Sequence, residues 1–276
     1  MEEKVKEHYG SDDLVKKIET ALLKAGKDLN RLEIKDLFPV DQLHTGGIKA
    51  GVELVKRAGL RPGEHVLDAG CGIGGSSRLL AKEFNCRVTG LDLSDRFIGC
   101  AVFLTSRTGL EDKANFKQGS VIDLPFEENM FDAVLCQHLL MNVENKKAAV
   151  KEFFRVLKPG GKLILHEITR GTGKDMHYPV PWAAEAGISF LEPWESLAAT
   201  LGQSGFKPDF IEEKSETALL WWEKAKKARE KQPYVPPDSL GPFLVFGENA
   251  GFFPANMQHN FANKAICLIE GLFHKD

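Results

Sequence analysis

A glycine-rich segment followed by a carboxylate is the part of this chain whose residue types and spacing are best suited to chemistry. The run VLDAGCGIGG extends from Val66 to Gly75, and Asp92 follows in the run GLDLS. Glycines after a buried strand let the backbone pass close beneath a bound nucleoside, and a carboxylate about 20 residues further on can accept hydrogen bonds from both ribose hydroxyls. The pattern therefore predicts a nucleoside-binding site.

The charge beside the glycines narrows the choice of ligand. Gly70, Gly72 and Gly75 also satisfy the GxGxxG fingerprint of dinucleotide-binding proteins. Asp68, however, lies just before the first of these glycines, where a dinucleotide would bring its pyrophosphate. A carboxylate opposes a phosphate but attracts the ammonium and sulfonium groups of S-adenosylmethionine (SAM). We interpret the segment as a SAM loop, with an NAD(P)-dependent oxidoreductase as the alternative.

Several segments together, in this order and spacing, resemble the class I SAM-dependent methyltransferases. They are VLDAGCGIGG, LDLS, GSVIDLPF, FDAVLCQH and RVLKPGGKLIL, and the resemblance extends over residues 46–168. The stretches DQLHTGG, QH and VPW further resemble small-molecule methyltransferases of the sarcosine/dimethylglycine type and of the type that tailors sugars or polyketides. The resemblance implies methyl transfer from SAM to a small acceptor, most simply at N or O, with C and S acceptors left open. A non-catalytic SAM-binding protein is a second alternative.

Composition fits a single elaborated enzyme domain. The chain has 276 residues, of which 43% are hydrophobic, a net charge of −3 and a pI near 6.3, which favours neither nucleic acid nor a membrane as partner. We expect a small-molecule substrate. We also expect a cytoplasmic location, because the N-terminus resembles no signal peptide. A homodimer is left open. The five cysteines lack CxxC spacing, and His44, His138 and His166 lack a metal motif, so we expect no metal.

Periodicity predicts an α/β fold: a Rossmann-like seven-stranded sheet, mostly parallel with the last strand antiparallel, with helices on both faces and a helical lid. The predicted strands are 65–69, 87–92, 114–118, 132–137, 162–168, 207–213 and 265–273, and the predicted helices are 11–25, 31–37, a third ending near 59, 74–84, 94–108, 145–157, 193–204, 216–231 and 254–262. The corresponding domains are an N-terminal helical cap (1–60), a SAM-binding core (61–214) with a loop insertion at 170–190, a helical lid insertion (215–262) and a final core strand (263–276).

Most cofactor roles follow from the resemblance. The predicted cofactor-binding residues are Asp68, Gly70, Cys71, Gly72, Gly74, Asp92, Leu93, Ser120, Val121, Gln137, His44, Thr45 and Gly46. The glycines leave room for the methionine portion, Asp92 binds the ribose and Leu93 packs on adenine. The family usually has an acidic residue at the place of Ser120, so this serine or the backbone of Val121 is expected to contact the adenine amino group.

His138 is the predicted catalytic residue, because it follows a strand end where the acceptor must approach and an imidazole can take a proton near neutral pH. A purely positioning role for it is an equal alternative. The predicted substrate-binding residues are Tyr9, His138, Tyr178, Trp182 and Trp222. Aromatic rings of this kind would suit either a flat apolar acceptor or a methylated ammonium.

Overall fold

The fold is built on one seven-stranded sheet. The structure, a computed structural model, describes residue 2 and residues 14–232, 234–236 and 238–276. The strands are β1 His65–Ala69, β2 Arg87–Asp92, β3 Ala114–Gln118, β4 Phe131–Gln137, β5 Leu157–Arg170, β6 Lys207–Glu213 and β7 Ile266–His274. They lie in the order β3-β2-β1-β4-β5-β7-β6, and β7 runs antiparallel to both of its neighbours. The predicted seven-stranded sheet with an antiparallel last strand is confirmed.

Helices cover both faces of the sheet and the carboxyl ends of its parallel strands. They are α1 Leu14–Lys24, α2 Ile34–Asp41, α3 Gly47–Ala58, α4 Gly75–Glu83, α5 Asp95–Arg107, α6 Lys146–Val156, α7 Trp194–Gln203, α8 Ser215–Lys231, α9 Pro242–Phe246 and α10 Phe253–Ala262. None of the helices in the described part of the chain has both the length and the apolar character that a membrane span requires.

Buried apolar runs explain why the strands form where they do. All of β1 after its first residue is buried, as is the middle of β2 and of β4, which is typical of parallel strands covered on both faces. Val66 belongs to the apolar cluster on one face of the sheet and Leu67 to the cluster on the other, as the alternation of strand side chains requires. The parallel strands therefore end together, and the turns after β1, β2 and β4 meet at one edge.

Two further apolar clusters hold the helical cap and the insertion against this edge. The first joins α1 and α2 with Ile73 and Phe97 of the core and with Leu244 and Val245 of α9. The second joins Trp222 of α8 with α10 and with the loop that follows β5. The N-terminal helices and the 215–262 insertion thus share a cluster with the SAM-loop region, while the division into domains stays a prediction.

Candidate functional site

A cavity of about 600 Å³ opens at the carboxyl ends of β1, β2 and β4. This volume lies within the roughly 300–1,000 Å³ that small-molecule sites occupy. The predicted site residues that line it are Gly70, Cys71, Gly72, Asp92, Leu93, Ser120, Val121, Gln137, His138, His44 and Trp182. The structure therefore brings together most of the positions that the sequence singled out, from segments far apart in the chain.

The turn after β1 depends on glycine for both its backbone angle and its close packing. Gly70 has φ +74°, in the left-handed region that residues with a side chain rarely adopt. A Cβ atom on it would also lie 2.8 Å from Cδ1 of Leu139, in the loop that follows β4. The turns after β1 and β4 consequently approach closely, and the backbone of residues 70–72 forms a wall of the cavity.

Asp92 presents a carboxylate to this wall. Its Oδ2 accepts a hydrogen bond from the backbone N–H of Gly72 and its Oδ1 accepts one from Ser94, both at 2.9 Å. Burial raises the pKa of Asp92 above its ordinary value, and these two hydrogen bonds oppose that shift. Each carboxylate oxygen can still accept a second hydrogen bond. The hydroxyl of Ser94 caps α5 by accepting a hydrogen bond from the backbone N–H of Phe97, so the carboxylate of Asp92 does not serve as the cap.

Asp68 lies behind the glycine turn rather than in the cavity lining. Its side chain is buried, and its Oδ2 accepts a hydrogen bond of 2.6 Å from the Ser77 hydroxyl on α4. Burial raises the pKa of Asp68 to about 6, and the nearby charge of Asp92 adds to this. Gly74, Thr45 and Gly46 likewise do not line the cavity. Any influence of Asp68 on a ligand therefore acts through its charge and through α4.

Gln137 offers an unused hydrogen-bond donor at the end of β4. Its Oε1 accepts a hydrogen bond of 2.8 Å from the hydroxyl of Ser76, which fixes the orientation of the amide. Its Nε2 is buried and has no partner in the described structure. A buried donor without a partner carries an energetic cost, which a ligand carboxylate or hydroxyl could relieve. Ser76 also lines the cavity and was not among the sequence predictions.

An acidic side chain from the N-terminus meets Ser120. The Ser120 hydroxyl donates a hydrogen bond to Oε1 of Glu2, and both residues line the cavity. The carboxylate of Glu2 therefore contacts Ser120, the position at which the resemblance led us to expect an acidic residue. The sequence alone gave no signal for this contact, because the two residues are 118 positions apart.

Three histidines meet at the side of the cavity beyond β4. The ring of His138 lies 5.0 Å from that of His166 and 6.4 Å from that of His44, measured between centroids. Burial lowers the pKa of His138 well below its ordinary value and the pKa of His44 to about 3, and His166 adds to both shifts. The rings of His138 and His44 are therefore neutral at neutral pH.

The neutral rings of His44 and His138 differ in whether their Nε2 atom already has a hydrogen-bond partner. Nε2 of His44 lies 2.8 Å from the carbonyl oxygen of Gly47, and since a carbonyl only accepts, this nitrogen carries the hydrogen. Nε2 of His138 is buried and has no partner in the described structure. His138 itself has φ +52°, an unusual angle for a residue with a side chain, and its N–H donates to the carbonyl oxygen of His166 at 2.9 Å.

Glu167, on β5, organises the loop that carries His138 and was missed by the sequence analysis. Its Oε1 accepts hydrogen bonds from the backbone N–H groups of Leu139 at 2.7 Å and Leu140 at 3.0 Å. Burial raises the pKa of Glu167 to about 7, in spite of these hydrogen bonds. The sequence places Glu167 in a predicted strand, but its role depends on which strand lies beside β4.

A buried ion pair fastens the N-terminal cap to the core beside the cavity. The guanidinium of Arg78 on α4 lies 2.8 Å from Oδ2 of Asp41 at the end of α2, and both side chains are almost completely buried. Arg78 also donates to the carbonyl oxygen of Ile73 and to the hydroxyl of Thr105. A Cβ atom on Gly75 would collide with the carbonyl oxygen of Asp41, so this glycine permits the close approach of α2 and α4.

The aromatic residues predicted to bind the substrate lie in different parts of the structure. Trp182 lines the cavity and donates through Nε1 to the Ser189 hydroxyl. Tyr178 and Trp222 lie outside the cavity lining, in the apolar cluster of the insertion. Nε1 of Trp222 donates to the hydroxyl of Thr45 at 3.2 Å. This hydrogen bond connects α8 with the HTGG segment, residues 44–47. Tyr9 lies outside the described residues.

Comparisons with known proteins show which proteins this chain resembles. Residues 67–165 match the family described as "Methyltransferase domain". The chain is 28% identical over 201 residues to phosphoethanolamine N-methyltransferase 1 of Zea mays. This alignment covers 72% of this chain and 39% of the maize protein. The structure superposes on phosphoethanolamine N-methyltransferase 2 of Haemonchus contortus in complex with SAM, with a TM-score of 0.73, 19% identity and coverage of 94% and 56% of the two chains.

A third similar protein matches along almost its full length. It is a sarcosine dimethylglycine methyltransferase from Galdieria sulphuraria, described as putative in its own report, with a TM-score of 0.69, 17% identity and coverage of 95% of this chain and 98% of that one. The chain thus spans 39% of the maize relative and 56% of the Haemonchus structure. The predicted resemblance to methyltransferases and the predicted class I fold are confirmed.

Proposed function

We propose that this chain, a SAM-dependent methyltransferase by its domain, transfers the methyl group of SAM to the N or O atom of a small-molecule acceptor. The observation that carries the proposal is that the glycine turn, Asp92, Gln137 and His138 all line one cavity. Methyl donor and acceptor would then meet in a single site.

The residues present fit SAM group by group. The oxygens of Asp92 can accept from the ribose hydroxyls, and the unpartnered Nε2 of Gln137 can donate to the methionine carboxylate. Gly70 leaves the backbone close to the ligand, and the hydroxyl of Ser120 lies near the expected adenine position. A sulfonium supplies an activated methyl group whose leaving group is a neutral thioether.

Methyl transfer by this chain is an in-line displacement. With SAM bound, the lone pair of the acceptor would form a bond to the methyl carbon while the carbon–sulfur bond breaks, and its electron pair would stay on sulfur to give S-adenosylhomocysteine. The protein aligns the two reactants and excludes water, which can contribute about 7–11 kcal/mol of the rate enhancement. In our proposal the neutral ring of His138 accepts the acceptor's proton through a ring nitrogen.

The charge of the cavity favours an acceptor without a phosphate. Among the described lining residues, the carboxylates are Glu2, Asp41, Asp92 and Glu144, and none is Lys or Arg. A phosphate buried beside carboxylates would lack a cationic partner from these residues. We therefore propose a neutral or amine-bearing acceptor, in contrast to the phosphoethanolamine in the names of the maize and Haemonchus proteins.

Calorimetry tests the cofactor half of the proposal. SAM and S-adenosylhomocysteine should bind with micromolar affinity and NADH should not, and Asp92→Ala should abolish binding of the adenosyl ligands. Asp123→Ala is the matched control, because Asp123 is an exposed carboxylate outside the cavity lining. Binding of NADH alone would return the chain to the oxidoreductase class.

A screen with methyl-labelled SAM tests the acceptor half. Sarcosine, dimethylglycine and ethanolamine should be compared with phosphoethanolamine at equal concentration. We expect label in an unphosphorylated acceptor, and label in phosphoethanolamine alone would contradict the charge argument. SAM binding without turnover on a broad acceptor set would favour the non-catalytic alternative.

Location and assembly are further proposals. We propose a cytoplasmic protein that needs neither nucleic acid nor a membrane, consistent with its net charge of −3. Light scattering coupled to size exclusion will decide between a monomer of 30.6 kDa and a homodimer.

A further inference from the structure

We propose that Asp175, His177 and His259 form a binding site for a divalent metal ion of the zinc type, outside the methyltransferase cavity. Each of the three residues offers one ligand atom, and these atoms all lie within 4.8 Å of one another. None of the three residues lines the cavity. The site is independent of the proposed function.

The distances between the ligand atoms suit a tetrahedral metal. Oδ2 of Asp175 lies 3.2 Å from Nε2 of His259 and 3.6 Å from Nε2 of His177. Zinc binds histidine nitrogen and carboxylate oxygen at about 2.0–2.2 Å, which separates neighbouring ligand atoms of a tetrahedron by about 3.4 Å. The two observed separations lie on either side of this value.

The backbone of His177 is held in place by the buried side chain of Asn260, the residue after His259. Asn260 follows His259 on α10 and is completely buried. Its Oδ1 accepts from the backbone N–H of His177 at 2.8 Å, and its Nδ2 donates to the backbone carbonyl of His177 at 3.0 Å. The loop after β5 is thereby fixed to α10 at the position where the two rings meet, so most of the ordering that a metal site requires is already present.

The same loop is held on both sides of this point. Upstream, the N–H of Gly173 donates to the carbonyl oxygen of Lys264 at 2.7 Å, and downstream, Nδ2 of Asn256 donates to the carbonyl oxygen of Pro179 at 2.9 Å. The segment that carries Asp175 and His177 therefore has little freedom to move away from α10.

The side chains themselves can adjust to an ion. The two imidazole rings stack with centroids 3.4 Å apart and an interplanar angle of 15°, so they must tilt for both lone pairs to meet one ion. The side chains of His177 and Asp175 are 47% and 71% exposed, which gives the room for this tilt. It also leaves an open position for water as the fourth ligand.

The ligand types select the class of metal. Two imidazoles and one carboxylate suit Zn²⁺ and similar borderline ions, whereas Mg²⁺ and Ca²⁺ prefer sets made of oxygen atoms. A bound ion would connect the loop that leads to Trp182 with α10 of the insertion.

Titration of the untagged, EDTA-treated chain with ZnCl2 tests the proposal. We expect one equivalent to bind, MgCl2 to give no signal, and a saturating excess of zinc to raise Tm by about 3–6 °C. Asp175→Asn, His177→Ala and His259→Ala should each weaken zinc binding by about tenfold or more while far-UV circular dichroism stays unchanged. Asp175→Asn guards against misfolding, because its side chain is the most exposed of the three.

Two controls separate this site from other zinc ligands. His274 forms a similar exposed pair with Asp209, with Nδ1 2.8 Å from Oδ1, and Cys267 is the least buried cysteine among the described residues. His274→Ala and Cys267→Ser should bind zinc like the wild type. Absence of zinc binding, or binding that His177→Ala and His259→Ala leave unchanged, would overturn the proposal.

Discussion

Glu167 couples the loop that carries His138 to pH. Burial raises its pKa from the ordinary 4.5 to about 7 in the folded chain, so the folded state holds the proton more tightly than the unfolded state. Its contribution to stability is therefore complete below about pH 4.5 and declines as pH rises to about 7, by an amount of the order of 3 kcal/mol. Glu167→Gln keeps an acceptor for the N–H groups of Leu139 and Leu140 and cannot ionise.

Urea unfolding of Glu167→Gln at several pH values measures this effect. We expect its free energy of unfolding to fall less between about pH 5 and 8 than that of the wild type. Glu213→Gln, which removes an exposed carboxylate, serves as the control and should follow the wild-type curve. Parallel curves for Glu167→Gln and the wild type would contradict the assignment.

His138 gives a kinetic prediction at the same scale. If it accepts the acceptor's proton, His138→Asn should lower kcat/KM by about 10²–10⁴-fold and leave the affinity for SAM within threefold of the wild type. Because burial lowers the pKa of His138 well below 6.5, the neutral ring persists as pH falls through 6.5, and wild-type activity should show no acid limb there. A purely positioning histidine would instead raise KM, with a small change in kcat.

The cavity-lining residues of the glycine turn and Asp92 could be predicted from the sequence because they belong to local patterns. Gly70 and Gly72 follow directly after the first predicted strand, and Asp92 ends the second. Both strands are recognisable in the sequence as short apolar runs. Glu2 and Glu167 could not be predicted in this way, since each acts on a residue that is distant in the chain, or on a loop placed by the neighbouring strand. Their chemistry depends on the folded arrangement.

At the scale of elements, α8 acts on the HTGG segment through one hydrogen bond. Trp222→Phe keeps the ring and removes the donation from Nε1 to Thr45. We expect weaker binding of S-adenosylhomocysteine by about 2- to 12-fold, which corresponds to a lost hydrogen bond of about 0.5–1.5 kcal/mol. Trp221→Phe is the matched control on the adjacent, partly buried ring. Equal calorimetric affinities for the two variants would show that this contact does not support the cofactor site.

The ion pair between Asp41 of α2 and Arg78 of α4 gives a second prediction at the scale of elements. Arg78→Met leaves the carboxylate of Asp41 buried without its partner, and we expect a loss of about 3–5 kcal/mol in the free energy of unfolding. The double variant Asp41→Asn, Arg78→Met removes both charges and should recover part of that loss. A double variant whose loss equals the sum of the two single losses would contradict a coupled pair.

The elements also show where periodicity reaches its limit. Strands β1 and β2 begin and end where the sequence predicted, because buried parallel strands form short apolar runs between turns. β3 also has the predicted bounds, although it is a largely exposed edge strand. β5 begins at Leu157 rather than 162, since Leu157 already pairs with Phe131, and the KPGG stretch forms an irregularity before Lys162 pairs with Ala133. α9 was not predicted, because five apolar residues, PFLVF, carry no helical period. Tyr178 and Trp222 pack in the apolar cluster of the 215–262 insertion rather than in the cavity. No local pattern in the sequence encodes the tertiary contacts of this insertion.

For the molecule as a whole, the shared clusters predict a single unfolding transition. Leu14 of the cap, Ile73 of the core and Val245 of the insertion belong to one buried cluster, so loss of one element exposes the others. Such shared burial favours cooperative, two-state unfolding. Ligand binding to the native cavity should therefore stabilise cap, core and insertion together.

Fluorescence and circular dichroism can compare these parts directly. Trp182 and Trp222 are buried in the insertion cluster and Trp221 packs against it, so tryptophan emission mainly reports the insertion, whereas far-UV circular dichroism reports all helices and strands. We expect the two thermal transitions to coincide, and S-adenosylhomocysteine at about 100 times its Kd to shift both equally, by about 2.7 kcal/mol of stability. A fluorescence transition at lower temperature, which the ligand leaves unchanged, would show that the insertion unfolds separately and does not close over the cofactor.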